Sequence, residues 1–252
     1  FEVLCKEANE YSKKEQIRAR RAFYAQCTQI DYQIRLLIGT LRECGELDNT
    51  ILLFVSDHGD QLFRHNMLGK RLFYEESSRV PLIISGNPIM KWKNTVQKKL
   101  ACLEDIMPTL LDLCGIPIPE TSEGISLISG REHPYLYGEI GEGTKASRMI
   151  RWKDYKLIYY PYGNKFQLFN LEKDAAETHD CIGEPIYKEV VTTMKQYLKE
   201  NLYGGDLNWL QDDQFCGIPI GKMNQKIDFG LYNQRGYHWP TPHGYCNLGK
   251  NA

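Results

Sequence analysis

Residues 13–44 carry a single apolar stripe. Phe23, Cys27, Ile30, Ile34, Leu37 and Leu41 recur at steps of four and three, which is one face of an α-helix, while Arg18, Arg20, Arg21, Arg35 and Arg42 fall mostly off it. Gly45 predicts the helix stop, and Leu47, Asp48 and Asn49 the turn after it. Thr50–Val55 and Val80–Ile84 are apolar without alternation, the pattern of strands covered on both faces of a parallel sheet. Pro81 lies near the start of the second, where no ladder donor is needed. A helix is expected over about 104–114, with Ile106, Leu110 and Leu113 on one side, Pro108 near its first turn, and Gly115 and Pro117 behind it.

Helix, strand, loop, strand, helix is an α/β arrangement, and it runs to about residue 125. The pattern then changes. Arg148–Arg151, Tyr155–Tyr160 and Phe166–Asn170 read as short strands of an antiparallel meander, the first two joined through Trp152, Lys153 and Asp154. Residues 185–202 read as one more amphipathic helix, through Ile186, Val190, Met194, Tyr197 and Leu198. From Tyr203 onward the chain is aperiodic and rich in Gly, Tyr, Trp and Pro, more like an ordered tail wrapped on the body than a flexible linker. The expected organisation is therefore three parts. Residues 1–125 form part of a mostly parallel sheet flanked by helices, 126–202 a small antiparallel sheet with a helix, and 203–252 an aromatic-rich tail.

Composition narrows the partners. The 252 residues are 42% hydrophobic and 25% charged, ordinary values for a packed chain. With 31 basic against 32 acidic residues, the net charge of −1 offers no electrostatic footprint for nucleic acid or an anionic membrane. Ile51–Val55 and Val80–Ile84, the longest apolar runs, fall far short of the roughly 20 residues of a spanning helix. Cys5, Cys27, Cys44, Cys102, Cys114, Cys181, Cys216 and Cys246 form no C-x-x-C pair and no disulfide framework. They read mostly as buried free thiols, which fits a reducing compartment such as the cytoplasm. Phe1 onward shows no signal-peptide pattern, and the chain reads as one entered in mid-sequence.

The chemistry concentrates between residues 55 and 83. Asp57 and His58 follow a buried strand, and open α/β sheets bind ligands beyond the carboxyl ends of their strands. Gly59 lets the chain turn sharply there, and Gly69-Lys70 puts a cation in a loop twelve residues beyond His58. Taken singly, Asp57 reads equally as a turn former, Lys70 as a solvated lysine and His65 as a hydrogen-bonded structural histidine.

The whole string decides between these readings. Ser56-Asp57-His58-Gly59-Asp60, Gly69-Lys70, Tyr74-Glu75-Glu76-Ser77 and Arg79-Val80-Pro81-Leu82-Ile83 stand in order. They are flanked by Ile30-Asp31 through Thr50, by Glu104–Asp112 with Cys114–Pro117, and by Phe169–Asp174 with Glu177. The sequence closely resembles the sulfatase family of the alkaline-phosphatase superfamily. The resemblance covers most of the chain and implies that Asp57 and His58 are ligands of a divalent cation, usually calcium. It makes Lys70 a contact to the sulfate ester and the substrate a sulfated small molecule or carbohydrate. His58 is a softer ligand than calcium prefers, so Asp57 is the firmer of the two. The family often has glycines where this chain has Phe63 and Asn66, so the loop carrying His65 is expected to take a different path, and His65 receives no catalytic role.

The family's nucleophile is a formylglycine made from a cysteine or serine in Cys/Ser-x-Pro/Ala/Ser-x-Arg. No cysteine here has an arginine four residues later; Ser147 has Arg151 at that spacing, with Met149 in the middle position. By resemblance the chain is a C-terminal half, inactive alone, whose partner is the N-terminal half bearing the nucleophile and further metal aspartates. Two other readings stand beside it: a phosphonate monoester or phosphodiester hydrolase on the same scaffold, and a non-catalytic structural module. In the tail, Tyr237 and Trp239 offer flat faces near Arg235 and His238. Either these aromatics pin the terminus, or the tail folds beside the site with Arg235 or His238 on substrate.

Overall fold

The computed structural model describes residues 10–87 and 94–221. Helix α1 spans Lys13–Glu43. Ser12 and Glu15 form a capping box at its start, the Ser12 hydroxyl accepting from the Glu15 N–H and the Glu15 carboxylate from the Ser12 N–H. At its end the Glu46 N–H reaches the Leu41 carbonyl and the Gly45 N–H that of Arg42, a Schellman closure. Gly45, at φ 73°, takes the left-handed position this closure requires. The helix is where the stripe predicts it, but no residue of it is buried, and Ile30 and Leu37 are 51% and 54% exposed. Periodicity reports which face is apolar, and among the described residues that face is not buried.

Strands β1 (Leu52–Val55) and β2 (Leu82–Ser85) pair with each other, antiparallel, Val55 opposite Leu82. The sequence pattern placed both in a parallel sheet. An unalternating apolar run reports two coverable faces and carries no information on the direction of the neighbour. Here Phe54 and Ile83 remain exposed. Between the strands lies the short helix α2 (Glu75–Ser78). Helix α3 (Ile106–Leu113) follows a 3₁₀ turn at Leu103–Asp105.

The second sheet is a four-stranded antiparallel meander in the order β3 (Leu136–Ile140), β4 (Ser147–Trp152), β5 (Tyr155–Tyr160) and β6 (Lys165–Asn170). Strand β3 is missing from the sequence reading because Gly138 interrupts it. A Cβ at Gly138 would come within 2.8 Å of the Phe73 ring, so the glycine admits the packing of the 67–74 loop on the sheet. Helix α4 (Lys188–Asn201) covers the other face, with Met194 and Leu198 buried against Ile150, Leu157, Tyr159 and Leu168. Ile186, expected on the helix's apolar face, is 77% exposed. It sits in a 3₁₀ turn before the helix, and Tyr187 is buried in its place.

Of the expected tail, residues 203–221 are described, and the rest lies outside the described residues. Trp209 and Phe215 join the same core through Tyr159, around a hairpin of β7 (Leu210–Gln211) and β8 (Gln214–Phe215). Fully buried Arg148 grips Asp206 with two hydrogen bonds, at 2.7 and 3.2 Å, and lies over the Trp209 ring. Of the described cysteines, Cys181 alone is buried; Cys27, Cys44, Cys114 and Cys216 are exposed free thiols and Cys102 is half-buried. The expectation of mostly buried thiols fails among the described residues: Cys27 lies on α1 and Cys44 just after it, a helix with no buried residue, and Cys114 is the exposed C-cap of α3. No helix among the described residues is long and apolar enough to cross a membrane.

Candidate functional site

The chain leaves β1 at Val55 and turns at Gly59, whose N–H bonds the Ser77 carbonyl at 2.8 Å. A Cβ there would fall 2.0 Å from the Glu76 carbonyl oxygen, so only glycine allows this stretch to lie against α2. That contact fixes where Asp57 and His58 project. The Asp57 carboxylate is 80% exposed and accepts the His58 N–H at 2.9 Å. This hydrogen bond, reinforced by the charge of Lys70, holds the carboxyl below its ordinary range. Ser56 donates its hydroxyl to the His58 carbonyl and steadies the turn.

His58 is oriented through both ring nitrogens. Nδ1 lies 2.8 Å from the Gly59 carbonyl, an acceptor, so the proton belongs on Nδ1. Nε2 then carries a lone pair, which faces the Lys70 ammonium and stands 3.3 Å from Asp57 Oδ2. Asp57, His58 and Lys70 thus stand together at the carboxyl end of β1. Asp57 Oδ2 and His58 Nε2 are the two acceptors here that could hold a cation. The set suits a divalent ion, but it supplies one carboxylate and one imidazole, fewer than the six to eight ligands of calcium. Arg235 and His238 lie outside the described residues.

The loop between His58 and Lys70 enters the left-handed region that favours glycine. Leu62, Phe63, His65 and Asn66 all have positive φ, between 44° and 70°. Packing compensates the backbone at these positions. Phe63 is buried against Tyr11 and the Arg20 guanidinium, and Arg20 Nε donates to the Leu62 carbonyl at 2.8 Å. His65 stacks on Tyr74 at 4.0 Å and faces Glu76 at 3.5 Å, beside a cleft of about 400 Å³ lined also by Gln167, Glu177 and Asp180.

Beneath the loop runs an ion network that sequence reasoning missed. Buried Lys156 on β5 contacts Glu75 at 2.5 Å, Glu177 at 2.8 Å and the Phe73 carbonyl at 2.7 Å. Glu177 also accepts the Glu75 N–H, and its burial raises the carboxyl's pKa against the pull of Lys156. These bonds lock α2, and through Gly59 the site, onto the meander. The only hint in the sequence is a lysine inside the otherwise apolar and aromatic run Tyr155–Tyr160.

Two family models match the chain: Sulfatase over residues 3–116, and N-sulphoglucosamine sulphohydrolase, C-terminal, over residues 64–203. An arylsulfatase of Clostridium perfringens is 37% identical over 221 residues, covering 84% of this chain and 46% of that protein. A Delta 4,5-hexuronate-2-O-sulfatase of Bacteroides thetaiotaomicron is 30% identical over 192 residues, covering 71% and 40%. A solved 2-O GAG sulfatase superposes with a TM-score of 0.72 at 28% identity, over 78% of this chain and 45% of that one. The fold is thus the alkaline-phosphatase-like α/β architecture of sulfatases. The chain belongs to the sulfatase family, whose members are sulfate ester hydrolases. It spans less than half the length of the curated relatives it matches.

Proposed function

We propose that these residues supply the anion-binding and metal-binding edge of a sulfuric ester hydrolase whose nucleophile, a formylglycine, comes from polypeptide outside them. The observation that carries this reading is the convergence of Asp57, His58 and Lys70 at the end of β1, in a chain of the sulfatase family. Asp57, with His58 through Nε2, would hold the cation, calcium being the choice for an oxygen-rich set completed from outside. Bound there, the cation would withdraw charge from the sulfate oxygens. Lys70 does the same from the protein side, its ammonium shifting from His58 Nε2 to a non-bridging sulfate oxygen as substrate enters. His58, held by Gly59, keeps the lysine aimed in the meantime. The substrate is a sulfated small molecule or carbohydrate, with Arg235 and His238 of the tail as its further contacts.

The test places Lys70→Ala in the full-length polypeptide and compares an aryl sulfate with an aryl phosphonate. The expected result is preferred hydrolysis of the sulfate and a loss in kcat/KM worth about 2–4 kcal/mol, as for other single oxyanion donors. A kcat/KM unchanged within about twofold (~0.4 kcal/mol) would return Lys70 to the solvent, and preferred phosphonate hydrolysis would move the protein to the sister activity.

A further inference from the structure

We propose a second metal site, for zinc, formed by Cys102, Asp105 and His133 at the start of α3. It is independent of the reading above, and it uses none of the same residues. Cys102 and Asp105 flank the 3₁₀ turn that opens α3, and His133 stands in the segment leading to β3. His133 Nε2 lies 2.8 and 3.0 Å from the two Asp105 oxygens and 3.9 Å from Cys102 Sγ. One candidate atom from each residue fits within a span of 4.8 Å.

A single ring nitrogen here faces a sulfur and two carboxylate oxygens. It carries at most one proton, which it can give to one of the three, whereas a cation at the point where they converge engages a lone pair of each residue. The donors are a thiol, an imidazole and a carboxylate, the mixture that selects zinc over calcium or magnesium. Tetrahedral zinc, with bonds of about 2.0–2.3 Å, separates its ligand atoms by about 3.3–3.6 Å. The nitrogen–oxygen pairs therefore open and the sulfur–nitrogen pair closes, each by a few tenths of an ångström. The Cys102 thiol also donates to the Glu104 carboxylate at 3.6 Å.

The surroundings are built to hold these ligands. Asp105 is fully buried, and its oxygens also accept the N–H groups of Cys102 and Ile125, which fix the carboxylate's direction. The His133 side chain is 15% exposed, and a Lys99–Glu132 ion pair at 2.8 Å clamps the same two segments. On binding, the Cys102 thiol gives its proton to solvent, and His133 ligates through Nε2 and Asp105 through a carboxylate oxygen. The metal then staples the base of α3 to the approach of β3, across a loop of roughly thirty residues.

The experiment uses the metal-free 252-residue chain. Zinc is titrated against a chromophoric chelator, and cobalt(II) is added separately to read its sulfur charge-transfer band in the near ultraviolet. The expected result is one equivalent bound with Kd at or below about 1 μM, together with a thiolate–cobalt band. Cys102→Ser and His133→Gln should each weaken zinc at least tenfold, and Cys102→Ser should abolish the band. Cys216→Ser, at an exposed thiol, should change neither. His133→Gln serves as the second variant should Cys102→Ser disturb folding, which circular dichroism reports. Absence of stoichiometric binding, or a band that persists in Cys102→Ser, would overturn the site and assign any thiolate signal to the exposed cysteines.

Discussion

A histidine with one nitrogen against a carbonyl has little choice of tautomer, and at His58 that choice turns Nε2 toward Asp57 and Lys70. The roles proposed for Asp57 and His58 differ accordingly. Asp57 brings the only formal negative charge, so Asp57→Ala in the full-length polypeptide should abolish activity and severely weaken calcium binding, with His58→Ala costing less. Because the His58 N–H holds the Asp57 carboxyl below its ordinary range, the carboxylate stays charged as pH falls. It loses its proton-free form only below the usual carboxylate pKa. Calcium affinity measured calorimetrically should therefore change little between about pH 7 and pH 5 on account of Asp57, whereas a steep loss in that window would place another group in control. The trio was legible in the sequence as a string of residue types after a strand. The Lys156–Glu75–Glu177 network was not, since its charges come from three segments that only the fold assembles.

The elements differ in how fully the sequence declares them. Helices α1 and α4 and strands β4–β6 stand where periodicity puts them, because an amphipathic face repeats over many residues. The direction of β1 against β2, and β3 with its Gly138, depend on neighbours that no local pattern encodes. The 61–67 loop shows how packing offsets an awkward backbone. Phe63, at φ 70°, sits in a region costing an L-residue roughly 1–2 kcal/mol, yet its ring is buried on Tyr11 and Arg20. Both Phe63→Ala and Phe63→Gly lose the ring, but only glycine sheds the backbone penalty. Chemical denaturation should find both variants destabilised and Phe63→Gly the more stable of the two by about 1 kcal/mol. A more stable alanine variant would mean that the left-handed loop is not retained.

At the scale of the molecule, burial is uneven. The meander, α4 and the Trp209 hairpin share one core, while α1 has no buried residue and β1 and β2 expose Phe54 and Ile83. Hydrogen exchange on the isolated chain should show slow amides in β4–β6 and α4 and fast ones along α1; equal protection in α1 and β5 would contradict this gradient. The same unevenness bears on activity. On the proposed reading, the nucleophile and most of a calcium shell come from outside an edge that presents one carboxylate, one imidazole and one ammonium; no Cys/Ser-x-Pro/Ala/Ser-x-Arg segment occurs in the sequence. The most direct measurement is aryl sulfate turnover with calcium present, by the 252 residues alone and by the same residues within the full-length polypeptide. The account predicts turnover only in the longer polypeptide, with the chain alone no faster than its Asp57→Ala variant. Turnover by the chain alone above that variant would contradict it.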